Sequence, residues 1–108
     1  MFAKNKHIET LGERLRTLRE QASLSLREVA SHIGIDTSLL GKIERNERHP
    51  TKDQIRHIAE FFKVDERLLI KELLSDLFAN TIIKEKADID ILRVAEDKVE
   101  YLKASKKK

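Results

Sequence analysis

An all-α fold is predicted by how rarely this chain breaks and how regularly its apolar residues return. The 108 residues include only 3 Gly and 1 Pro, and they are rich in Leu, Ile, Glu, Lys and Arg. That mixture favours helices and seldom interrupts them. Apolar residues recur at helical spacing behind residues suited to cap a helix. No run alternates apolar and polar residues at period two for long, so strands are not expected.

The elements follow in order. Leu11, Leu15, Leu18 and Ala22 mark a first helix from about Thr10 to Gln21, with Thr10 and Glu13 spaced as a capping box. Ser25 and Glu28 repeat that spacing before a second helix, which turns Val29, Ala30 and Ile33 inward. Gly34 supplies the left-handed residue that ends it. Asp36 is expected to cap a third helix with Leu40 and Ile43 inward, and Asn46 to end it, since Asn tolerates the left-handed conformation. Pro50 forbids its continuation. Thr51 and Gln54 form another capping box, and Ile55, Ile58, Ala59 and Phe62 share one face of a fourth helix. Asp65 caps a fifth.

From Leu69 the pattern changes. Leu69, Ile70, Leu73, Leu74, Leu77, Phe78, Ile82 and Ile83 form a broad apolar band. Asp88 is expected to cap a last helix with Ile89, Leu92, Ala95, Val99 and Leu102 inward. Only Thr81 and the charged KEKAD segment suggest a break between the two. This predicts an N-terminal arm over 1–9, a five-helix domain over 10–69, and a helical extension over 70–108 that ends in Lys106, Lys107 and Lys108. Those lysines read as a solvated tail.

Composition narrows the function. Hydrophobic residues make up 40% of the chain and charged residues 38%, enough for one modest core. The net charge of +3 permits nucleic-acid binding without demanding it. There is no Cys, so neither a disulfide nor a Cys-based metal site is possible. No apolar stretch is long enough to span a bilayer, and the N-terminus lacks the apolar core of a signal peptide. A cytoplasmic protein follows as the expectation, with no membrane partner. His7, His32, His49 and His57 lack metal-ligand spacing, and the Asp88, Asp90, Glu96, Asp97 and Glu100 cluster reads as a solvated helical face. No phosphate loop or nucleophile–base arrangement is present, so neither cofactor nor enzyme activity is expected.

The stretch SLREVASHIGIDTSLLGKIERNERHPT carries the functional signal. Two short helices around a Gly-centred turn, closed by a loop at Pro50, are the layout of a helix-turn-helix that reads duplex DNA. With Leu40 and Ile43 inward, the third helix leaves Thr37, Ser38, Gly41, Lys42 and Arg45 outward and Leu39 at the boundary. Thr37 and Ser38 can meet base edges, Leu39 a thymine methyl, and Lys42 a guanine or a phosphate. Gly41 serves either close approach of DNA or packing against the second helix. Phosphate contacts are expected from Ser25, Leu26 and Arg27 at the N-terminus of the second helix, and from Asn46 and Arg48 in the loop.

Those segments resemble the XRE/Cro-type, lambda-repressor-like helix-turn-helix family. The resemblance spans Leu11 to about Leu69 and rests on SLREVA, Gly34, KIERN, Pro50 and FFKVDERLL together. It implies a five-helix DNA-binding domain and an ion pair between Arg19 and Glu44 bracing the reading helix. Two positions depart from the family: Leu26 stands where many members have a DNA-contacting Gln, and Asn46 where many have Gly. The ERN step is similar to restriction–modification controllers and sporulation-type repressors, and the ending VAEDKVEYLK to some controller-associated regulators. The expected function is a transcriptional regulator of bacterial or phage origin, most simply a nucleoid-associated repressor on a palindromic operator. Ile70, Leu73, Leu74, Leu77, Phe78, Leu92 and Val99 are the candidates for dimerisation. An intramolecular hairpin is the alternative for these residues. An antitoxin or assembly module whose C-terminal helices bind another protein is the alternative for the whole chain.

Overall fold

The structure, a computed structural model, describes residues 8–106. The first seven residues of the expected arm, His7 among them, and the tail residues Lys107 and Lys108 lie outside these. Six helices follow in order: α1 (Leu11–Gln21), α2 (Leu26–Ile33), α3 (Thr37–Glu44), α4 (Lys52–Phe62), α5 (Glu66–Glu85) and α6 (Ile91–Lys106). The chain divides into Met1–Asp76 and Leu77–Lys108, with the division inside α5.

The first unit is built from capped helices around one core. Thr10, Ser25 and Thr51 each accept the N–H three residues on, and Glu13, Glu28 and Gln54 return to the cap's own N–H. These boxes satisfy donors that a helix start leaves unpaired. Asp36 departs from expectation: it holds the cap position of α3 in extended backbone, but its side chain makes no capping hydrogen bond. The core gathers Leu11 and Leu15 of α1, Val29, Ala30 and Ile33 of α2, Leu40 and Ile43 of α3, and Ile55, Ile58 and Ala59 of α4. Leu69 and Leu73 of α5 close it, at 2% and 6% exposure. Burying such a side chain contributes about 1.5–3 kcal/mol.

Helix ends use left-handed residues, and only Gly34 (φ 77°) among them is glycine. Ser23, Asn46, Lys63 and Lys86 take the same conformation. At Asn46 the chain closes α3 with two bonds: Asn46 N–H donates to the Ile43 carbonyl (3.1 Å) and Glu47 N–H to that of Lys42 (2.8 Å).

The second unit is a helical hairpin of the end of α5 and α6. Lys86 turns left-handed after α5. Asp88 does not cap α6. It accepts the Asp90 N–H in a turn (3.0 Å), and the helix begins at Ile91. The residues expected inward on α6 are exposed: Leu92 45%, Val99 49% and Leu102 54%, with Ile89 just before it at 68%. A single partner helix covers only one side of another, so this hairpin encloses no core of its own.

Candidate nucleic-acid interface

The turn between α2 and α3 is set by Gly34, whose N–H returns to the Ala30 carbonyl (2.9 Å). α1 and α2 both pack on α3, and α4 packs on α2. Thr37, Ser38 and Lys42 are exposed on α3, and Leu39 is half-buried. They leave an outward row of two hydroxyls and an ammonium on a helix whose other face is held by Leu40 and Ile43.

Glu44 is the buried charge of this region. Its carboxylate accepts two bonds from the Arg19 guanidinium, at 2.7 and 3.0 Å, and Arg19 also donates to the Leu24 carbonyl at 3.0 Å. The Glu44 hydrogen bond raises the Arg19 pKa above its ordinary value, against the opposing effect of burial. Through these three bonds the pair ties α1, the α1–α2 loop and the last turn of α3 together.

Gly41 is buried rather than open to solvent. A β-carbon there would stand 3.8 Å from Leu26 Cδ1 and 3.1 Å from Arg45 Nη1. Neither contact demands glycine, since the Leu26 distance is ordinary van der Waals contact and the Arg45 tip is the end of a flexible side chain. Arg45 lies back over Gly41 and is bound to Glu47 at 2.9 Å, which holds the Glu47 carboxyl below its usual range. Arg27, Asn46 and Arg48 are exposed. At the start of α2, the Ser25 N–H and hydroxyl are occupied by Glu28. The N–H groups of Leu26 and Arg27 are the first-turn donors left outside the box.

Three features escaped the sequence. Gly12 faces the end of α3, where a β-carbon would lie 2.6 Å from Asn46 Oδ1 and 2.7 Å from the Glu44 carbonyl oxygen. A glycine in the first turn of a well-capped helix was the signal available. Asp76 accepts the Leu11 N–H at 2.8 Å, and Glu72 binds Arg14 at 3.2 Å, which fastens α5 to the start of α1. Arg16 lines a cleft with Arg45 where α1, α2 and α3 meet. Among the described residues, no three His, Asp or Glu groups are placed to hold a metal. No described helix is long and apolar enough to cross a membrane.

Of the residues expected at a dimer contact, Leu73 is buried in the first unit, and Ile70 and Leu77 are half-buried. Leu74, Phe78, Leu92 and Val99 are exposed at 40%, 58%, 45% and 49%. An open groove of about 540 Å3 runs between the hairpin's helices, walled by Phe78, Ile82, Ile91, Leu92, Ala95 and Val99 among others.

A capped all-helical domain, with a Gly turn and a braced outward helix, defines a DNA-binding helix-turn-helix protein of the transcription-regulating class. The chain belongs to the helix-turn-helix domain family, whose profile matches residues 12–73. It is similar to the restriction–modification controller protein C.AhdI from Aeromonas hydrophila, with 34% identity and a TM-score of 0.52, over 55% of this chain and 89% of that one. It shares its fold with a chain of the SinR protein/SinI protein complex, with 20% identity and a TM-score of 0.54, over 88% of this chain and 99% of that one. No curated protein matches. The XRE-like resemblance carried by SLREVA and KIERN therefore holds.

Proposed function

We propose that this protein is a sequence-specific regulator that binds a palindromic operator in duplex DNA as a homodimer, and that it acts as a repressor in the cytoplasm. One observation carries the reading. Thr37, Ser38 and Lys42 form an exposed polar row on a helix held from behind by a buried two-pronged ion pair. Such a helix can enter the major groove without losing its orientation. Occupying an operator is enough for repression and asks no catalysis of the chain. Similarity to a restriction–modification controller protein supports a regulatory role.

The dimer reading rests on the hairpin. Its groove is apolar on both walls, and its large side chains are uncovered. A second copy would bury them and set two reading helices on half-sites about 34 Å apart. The same groove favours one other reading, an antitoxin or assembly module that covers it with a different protein.

Selection of bound duplexes from a random library, with sedimentation of the free protein, tests both. An enriched palindrome and a sedimenting dimer are expected. A folded monomer that enriches no sequence would overturn the operator reading in favour of a protein partner.

A further inference from the structure

The cleft where α1, α2 and α3 meet has a volume of about 240 Å3 and is lined by Arg16, Arg19, Leu26, Gly41, Glu44 and Arg45. Its charges are sorted by depth. Arg19 and Glu44, at 14% and 6% exposure, neutralise each other at the floor. The arginines at the rim, Arg16 and Arg45, are 63% and 57% exposed. Each rests on a carboxylate of its own segment: Arg16 on Glu20 at 3.0 Å and Arg45 on Glu47 at 2.9 Å. Arg45 does not extend along the outward row of α3. Its Nη1 lies over Gly41, on the side where Leu26 begins α2.

We propose that this cleft seats one backbone phosphate of the bound duplex, gripped by Arg16 and Arg45 together. The proposal deepens the duplex-binding reading and rests on it. A guanidinium offers paired donors that fit a phosphate as well as a carboxylate. Exposed ion pairs are weak, so a phosphodiester displaces Glu20 and Glu47 at little cost. Arg45 is then a positioning contact to the backbone, and base reading falls to Thr37, Ser38 and Lys42. Glu20 and Glu47 become restraints that hold the two arginines back from indiscriminate polyanions.

The test is anisotropy on a mixed-sequence duplex between about 50 and 200 mM salt. Arg16→Ala and Arg45→Ala should each flatten the slope of log K against log salt by about 1. Combining them should add little, because both grip one phosphate. Glu20→Gln and Glu47→Gln should each tighten binding by up to about fivefold. Inorganic phosphate should leave the melting temperature unchanged; a rise that depends on Arg16 would reassign the cleft to a free anion and overturn the proposal. Arg16→Gln stands in if the alanine variant fails to fold. Wild-type binding with a slope that neither Arg16 variant alters overturns the cleft alone. Wild-type protein that binds no duplex overturns the DNA reading with it.

Discussion

Arg19 holds Glu44 with two hydrogen bonds, 2.7 and 3.0 Å long, and both side chains are largely withdrawn from water. The pair joins α1 to the end of α3 and so sets the angle at which the outward row is presented. Removing one partner strands the other charge where water cannot compensate it. Arg19→Ala should cost about 3–5 kcal/mol, whereas a double change of Arg19→Met with Glu44→Leu should be close to neutral. Chemical denaturation of the wild type and the two variants checks this, and equal losses in the single and double variants would remove the argument from stranded charge.

The glycines at 12 and 41 should respond in opposite directions to alanine. At Gly12 the added carbon meets the backbone at the end of α3, which cannot yield, so Gly12→Ala should destabilise by about 1–3 kcal/mol. At Gly41 it meets only the tip of Arg45, which can move. Relief of the mid-helix glycine should then make Gly41→Ala more stable by about 0.5–1 kcal/mol. Melting curves distinguish the signs.

Lys42 is exposed on the outward face of α3. If it reads a base, Lys42→Ala should weaken binding to the selected operator by about 1–3 kcal/mol and relax the preference at one position. An equal loss on operator and random duplex would make it a phosphate contact instead.

Phe78 is a better probe of self-association than Leu73. Leu73 belongs to the core of the first unit, so Leu73→Glu would unfold the domain, while Phe78 is 58% exposed on the groove wall. Phe78→Glu should leave the melting of the first unit unchanged and shift sedimentation from dimer to monomer. A dimer that persists would place the contact elsewhere.

Acid should weaken the start of α2. The Ser25 backbone N–H, and then its hydroxyl, hold the Glu28 carboxyl below its ordinary value of 4.5. The folded chain binds that proton less readily than the unfolded chain. The stabilisation is therefore present above the ordinary value and lost as pH falls through the lowered one. Glu28→Gln keeps the cap but cannot titrate, so its melting temperature should fall less steeply on acidification. A parallel fall in both proteins would exclude Glu28 as a contributor.

The helices of the first unit, and the starts closed by a capping box, were legible because their causes are local, whereas Asp36 and Asp88 did not cap as expected. Thr10 with Glu13, Ser25 with Glu28, and Thr51 with Gln54 each satisfy a helix terminus within four residues, and Gly34 and Asn46 end helices by their own backbone freedom. The row of Thr37, Ser38 and Lys42 followed from helical periodicity once Leu40 and Ile43 were turned inward. What lay beyond that reach depends on residues far apart in the chain. Gly12 faces α3, Asp76 fastens the start of α1, and Arg45 turns back over Gly41 in the cleft that Arg16 also lines. The same apolar periodicity placed Leu73 in a core and left Leu92 and Val99 exposed, because spacing marks which face of a helix is apolar but not whether anything covers it. By itself the sequence determined the order of the helices, the boxed starts of α1, α2 and α4, and the helix-turn-helix. The tertiary structure alone decided which arginines share a cleft, which glycine admits no side chain, and which apolar faces remain uncovered, since these are set by the approach of segments that no local pattern records.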